Sequence, residues 1–263
     1  MAGGTDLLVQ LRADRYKLDL LVDIKGVPEA SVLSLNADGL SLGSAVPCYL
    51  LYEDEAVAKA YPGLIDGASI IGGTQIQSRA TLGGNLCNST PSADGICPLI
   101  VHSATATLTG TEGTREVGLD DFCTAPGKNV IGYGEFLLRL NVPKPSARFG
   151  AAYQRFTPRN EMDIAVAGVA AAVTLDSAKK NIETARIALA AVGPTPIIAT
   201  EAAESLVGKA ANDDNFRAAG ELAAQAATPI DDMRGTVEHR TQLVRVLTRR
   251  VLETAVERAK GRK

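Results

Sequence analysis

Apolar and polar positions alternate along the first half of the chain in short blocks separated by turn residues. Residues 7–11 carry leucine and valine at helical spacing and predict a short helix. Residues 18–24 (LDLLVDI) form a nearly continuous apolar run closed by Gly26-Val27-Pro28 and predict a buried strand within an α/β layer. Residues 32–35 and 40–42 flank Asn36-Ala37-Asp38-Gly39, a turn composition that predicts an antiparallel hairpin. Pro47 suits the first turn of a helix running to about residue 60 and ending before Pro62-Gly63. Residues 98–103 read as helical or irregular. Residues 104–109 and 114–117, around Gly110-Thr111-Glu112-Gly113, read as a second hairpin, and 136–142 (FLLRLNV), stopped by Pro143, as a further strand.

The Pro143-Lys144-Pro145-Ser146 segment interrupts this pattern and sets an expected domain boundary, giving domains 1–146 and 147–263. Beyond it, strands are expected at 150–156, 164–175 and 182–192, and helices around 197–207 and 215–227. The last helix, 237–259, carries Val244, Leu247, Val251 and Ala255 at spacings of three and four, so its apolar stripe should pack on the small sheet. The fold class expected is α+β in two parts.

Composition removes several functions. A net charge of −3 argues against a nucleic-acid surface. Basic residues do gather near the C-terminus (Arg245, Arg249, Arg250, Arg258, Lys260, Arg262, Lys263), as they would on a solvated helix face. Cys48, Cys87, Cys97 and Cys123 make no CxxC pair, and His102 and His239 are too few to complete a zinc site. Free thiols in a reducing compartment are the expectation. With no secretory signal and no run of spanning length, the chain is expected to be soluble and cytoplasmic. Tryptophan is absent, so any cofactor should be held by glycine loops and aliphatic walls.

Two stretches fit such loops. Thr81-Leu82-Gly83-Gly84-Asn85, inside the glycine- and hydroxyl-rich segment 71–94, places bare backbone N–H groups beside a hydroxyl and an amide, a composition suited to a pyrophosphate. Ala2-Gly3-Gly4-Thr5-Asp6-Leu7 opens the chain in the same style, although its hydroxyl and carboxylate would equally cap a helix. The chain has no GxSxG elbow, HExxH pair, Walker A lysine or GxGxxG. No residue is assigned a catalytic or metal-binding role, and a bound cofactor would do the chemistry.

AGGTDLL, TLGGNLCNSTPSAD and RGTVEHR, in this order, resemble the FAD-binding subunit of the molybdenum hydroxylases, the family of xanthine dehydrogenase, carbon monoxide dehydrogenase and 4-hydroxybenzoyl-CoA reductase. The resemblance implies an FAD-binding α/β domain of the vanillyl-alcohol oxidase type followed by a small α+β domain. It implies that Ala2, Gly3, Gly4, Thr5 and Asp6 meet the flavin diphosphate with Leu7 against the cofactor, and that Thr81, Gly83, Gly84 and Asn85 complete the diphosphate site. Asp94 would accept from cofactor hydroxyls, and Ile71 and Leu137 would flank the rings. Arg155 stands where relatives often carry lysine, which puts the flavin tuning assigned there in doubt.

By the same resemblance, the partners are a large subunit with the molybdenum cofactor and a small subunit with two iron-sulfur clusters, arranged as a dimer of heterotrimers. FAD would pass electrons from the clusters to an external acceptor. An autonomous FAD oxidoreductase and an FAD-free scaffold subunit remain as alternatives. Relatives precede AGGTDLL with a strand-helix-strand unit, whose last strand would end where Met1 stands. A start assigned too far downstream, or a shortened chain, is the expectation, with poor FAD affinity in its absence.

Overall fold

The computed structural model describes residues 1–261, so Arg262 and Lys263 of the basic run lie outside the described residues. Helix α1 (Leu7–Arg12) starts directly after the first glycine loop. The run at 18–24 departs from expectation: it forms no strand, and Leu20 is 77% and Val22 59% exposed. Apart from the Ile24 carbonyl, which accepts from the Val27 N–H in the turn that follows, its main-chain pairing among the described residues is with Met1, which accepts from the Ile24 N–H at 3.1 Å and donates its amine to the Val22 carbonyl. One residue alongside makes no ladder to offset the ordering of an extended backbone.

Strands β1 (Leu33–Leu35) and β2 (Gly39–Gly43) form the expected hairpin, with Leu33 opposite Leu42. Asn36 shapes its turn, its side-chain oxygen accepting from the N–H groups of Asp38 and Gly39. The helix expected after Pro47 is broken into α2 (Cys48–Glu53) and α3 (Glu55–Ala60), because the Asp54 carboxylate caps a new start by accepting from Ala56 and Val57. Pro62 opens helix α4 (Pro62–Ala68) at its first turn instead of merely ending the one before. Short helices α5 (Thr74–Gln77) and α6 (Leu82–Asn88) occupy the glycine-rich segment, and α7 (Ile96–Val101) is wholly buried.

The chain then adds β3 (Thr105–Gly110), β4 (Gly113–Gly118), the small β5 (Cys123–Ala125) and β6 (Lys128–Asn129) pair, and β7 (Phe136–Pro143). The larger sheet runs β1-β2-β7-β3-β4, antiparallel throughout. Its centre is β7, where Leu140 faces Leu42 on one side and Ala106 on the other. That position carries Leu137 to the end of the sheet that meets the glycine loops.

The second sheet is formed by β8 (Phe149–Phe156), β9 (Ala167–Leu175), β10 (Ile182–Ala190) and β11 (Ile197–Ile198), in the order β11-β10-β9-β8. Helices α8 (Thr200–Glu204), α9 (Asp213–Ala226) and α10 (Val237–Ala259) complete the chain. Strand alternation divides the sheet between two cores. Val169, Ala171, Val173, Ile187 and Leu189 pack with Val244, Leu247, Val251 and Ala255 of α10, as its apolar spacing predicts. Ala151, Tyr153, Ala170, Ala172, Ala188 and Ala190 face the core of the first half. Contact with α10 is close enough that a Cβ at Gly150 would lie 2.0 Å from the Ala255 carbonyl oxygen.

Polar clasps fix the two halves. Arg258 donates to both Asp66 oxygens, at 2.6 and 2.9 Å, and to the Ala151 carbonyl at 2.8 Å, while the Tyr153 N–H also donates to Asp66. His102 is buried between Tyr61 and Phe149, with Nδ1 2.7 Å from the Pro98 carbonyl. Burial pushes its pKa down from 6.5 to about 4. The unfolded chain therefore binds a proton that the folded chain refuses, so the associated stability is complete above about pH 6.5 and is lost as pH falls towards 4. Between pH 7 and 5 the wild-type chain should lose about 2 kcal/mol more than His102→Gln in urea unfolding. Equal losses in the two chains would contradict this.

Candidate functional site

The two glycine loops lie against each other. A Cβ at Gly3 would stand 1.9 Å from the Arg79 carbonyl oxygen, so the first loop rests on the backbone leading into the second. Gly4 turns the chain at φ +77, a conformation that a side chain would strain. In the second loop Thr81 caps α6, its hydroxyl oxygen accepting from the Gly84 N–H at 2.8 Å. Gly83 sits so close to the turn after β2 that a Cβ would reach 2.6 Å from the Ser44 Cα.

A cavity of about 450 Å³ opens between the loops. Ala2, Gly3, Gly4, Thr5, Asp6, Leu7, Ile71, Thr81, Gly83, Gly84, Asn85 and Leu137, all expected from sequence, line it together. The lining carries no lysine or arginine side chain among the described residues, and it includes the acids Asp6 and Glu135. Burial holds the Asp6 carboxyl above its ordinary pKa. Backbone dipoles contribute positive potential that no lining side chain supplies.

Those dipoles are available. Among the described residues, the N–H groups of Gly3 to Leu7 and of Gly83 have no intramolecular acceptor, whereas the Leu82 N–H is turned towards Val46 by the bridge between Pro47 and Thr81. Gly84 differs, because its N–H is already used by Thr81. Asn85 is oriented by the Gly95 N–H, which donates to its side-chain oxygen at 2.9 Å and leaves the amide NH₂ as a donor. Neither Thr5 nor Asp6 caps α1 through its side chain, so helix capping does not account for the first loop. Donors without acceptors on residues lining one cavity, beside the open face of Gly84, fit the diphosphate of a dinucleotide.

Asp94 and Arg155 stand outside the lining. They pair with each other instead: Asp94, 6% exposed, accepts from Arg155 and from the Tyr153 hydroxyl at 2.8 Å. Burial raises the Asp94 carboxyl to about 6 against the pull of these partners. Its route to the cavity is indirect, through the adjacent Gly95 that orients Asn85. Nor does Asp94 cap α7, whose cap position is Gly95.

Ser44, Tyr16, Phe136 and Cys87 also line the cavity, although the sequence assigned none of them to the site. Tyr16 and Phe136 correct the expectation that glycine loops and aliphatic walls alone would form the site. All four cysteines are free, and burial pushes the Cys48 and Cys87 thiols up to about 12, so neither supplies a thiolate at neutral pH.

The family model described as the FAD binding domain in molybdopterin dehydrogenase matches residues 1–145. The chain belongs to the FAD-binding subunits of the molybdenum hydroxylases. A second model of this flavoprotein family, the CO dehydrogenase flavoprotein C-terminal domain, matches residues 151–255. The xanthine dehydrogenase FAD-binding subunit of Escherichia coli O157:H7 is 33% identical over 264 residues, spanning 100% of this chain and 90% of the relative. The carbon monoxide dehydrogenase medium chain of Afipia carboxidovorans is 30% identical, across 99% of this chain and 90% of that one. Among solved structures, carbon monoxide dehydrogenase from Hydrogenophaga pseudoflava superposes with a TM-score of 0.93 at 27% identity, covering 98% of this chain and 89% of that chain. This flavoprotein subunit thus has the fold of its relatives, α+β with an FAD-binding domain and a C-terminal domain, and is a subunit of an oxidoreductase. Among the described residues no helix is long and apolar enough to cross a membrane.

Proposed function

We propose that the cavity between the glycine loops holds the FAD diphosphate and that the subunit relays electrons from an iron-sulfur partner to an external acceptor. The supporting observation is the set of acceptorless N–H groups at Gly3 to Leu7 and Gly83, on residues that line a cavity without cationic side chains. FAD, when bound, supplies electron transfer in single steps or as hydride. The protein's task is positioning. Backbone donors and the Asn85 amide would hold the phosphates, while Ile71, Leu137 and Phe136 would wall the rings and keep water from them. Asp94 and Arg155, paired outside the lining, would act by fixing the neighbouring backbone.

In this reading the partners are a large subunit with the molybdenum cofactor and a small subunit with two iron-sulfur clusters, assembled as a dimer of heterotrimers in the cytoplasm. The boundary between the FAD-binding and C-terminal domains falls at Ser146. Substrate is oxidised in the large subunit, so this chain needs no general base. The FAD-loaded chain should keep its flavin oxidised when mixed anaerobically with purines, aldehydes or aromatic heterocycles. Its flavin absorbance should bleach on addition of the reduced iron-sulfur partner. Bleaching by an organic substrate alone would instead make the chain an autonomous oxidoreductase.

A further inference from the structure

Ser44 stands in the turn between β2 and α2, 2% exposed, on the cavity wall, and its hydroxyl has no partner among the described residues. Its backbone is held from two sides. The Ser44 N–H donates to the Leu138 carbonyl at 3.0 Å, and the Gly83 backbone presses on its Cα and Cβ, leaving no room for a Cβ at Gly83. The hydroxyl is therefore fixed beside the second glycine loop, unpaired, where an orphan donor is costly.

The main-chain group next to it, the N–H of Gly83, is also a donor without an acceptor among the described residues. Neither of these two donors has an acceptor among the described residues, and an anionic phosphate oxygen is an acceptor that a hydroxyl and an amide N–H can share. We propose that Ser44 is a further cofactor-binding residue whose hydroxyl donates to a diphosphate oxygen. This rests on the FAD reading of the cavity and adds the turn after β2 to the two loops that grip the diphosphate.

The test is Ser44→Ala in the full chain, titrated with FAD, ADP and riboflavin, together with thermal melting of the ligand-free proteins. Loss of the hydroxyl should raise the dissociation constants of FAD and ADP about tenfold, equivalent to about 1.4 kcal/mol. Riboflavin, which has no phosphate, should bind as before, and the ligand-free melting temperature should stay level or rise because an unpaired polar group has been removed. Ser44→Cys, with a weaker donor of similar shape, should fall between wild type and Ser44→Ala. Unchanged FAD affinity, or an equal loss for riboflavin, would overturn the assignment. So would a Ser44→Ala chain that melts several degrees lower or fails to fold, since the hydroxyl would then have a structural partner. If the wild-type chain took up no FAD or ADP, the functional reading itself would fall, and this assignment with it.

Discussion

Gly84→Val should empty the cavity of FAD while the chain stays folded. A Cβ at Gly84 meets only the Thr81 hydroxyl oxygen, at 3.0 Å, so a side chain there has no wall to strike and extends into the cavity. Position 84 is the third residue of α6, where valine is no worse a helix former than glycine. The two methyls would then occupy the space that a diphosphate needs. FAD affinity should fall on the order of 100-fold, about 2.7 kcal/mol, with the melting temperature of the ligand-free protein within a few degrees of wild type. Flavin absorbance per protein and a thermal melt read the two effects separately, and equal flavin content in mutant and wild type would contradict the assignment of this loop. Neighbouring glycines are poorer probes. A Cβ at Gly3 or Gly83 would collide with the backbone of Arg79 or Ser44, so substitution there confuses loss of cofactor with loss of fold.

Arg240→Ala should have the opposite signature, a large loss of stability without a direct effect on the cavity. Arg240 belongs to the RGTVEHR motif that helps to mark the family, yet it lies outside the cavity lining, in the wall of the second core. It is 4% exposed and donates to the carbonyls of Val166 at 2.7 Å and Ala191 at 3.0 Å and to the Asp232 carboxylate at 2.7 Å. These acceptors come from the segment before β9, the end of β10 and the loop before α10, so one guanidinium ties three stretches of the C-terminal half. Truncation leaves the Val166 and Ala191 carbonyls without this donor, at about 1–3 kcal/mol for each buried group left unsatisfied, while the exposed Asp232 carboxylate keeps the Arg234 N–H. Urea unfolding of the ligand-free chain measures it. A loss below about 0.5 kcal/mol would mean that the clasp is dispensable.

Local pattern carried much of the fold. The two hairpins of the larger sheet, the strand at β7 and the whole of α10 follow from alternation, turn residues and three-four spacing, because each is specified by neighbours in sequence. The run at 18–24 misled for a physical reason: an apolar strand exists only beside another strand, and among the described residues its main-chain partners are Met1 and its own following turn. Likewise, Pro62 could end a helix or begin one, and only the packing of α4 against β8 decides it.

The site was legible where a loop carries its own chemistry. Glycines, Thr81 and Asn85 declare a need for close backbone approach, so the two loops could be paired before their geometry was known. Asp94 could not be placed in this way, since its partners Tyr153 and Arg155 lie on β8, about 60 residues on, and burial rather than motif determines what it touches. Ser44 was invisible for a similar reason. A serine after a strand is unremarkable until tertiary packing removes every partner from its hydroxyl.

The most direct measurement is a titration of the wild-type chain with FAD followed by flavin fluorescence, with ADP as competitor. The expected result is saturable, equimolar uptake that ADP displaces, because the proposed grip is on the diphosphate through the acceptorless N–H groups of Gly3 to Leu7 and Gly83. Absence of saturable binding, or FAD binding indifferent to ADP, would contradict it.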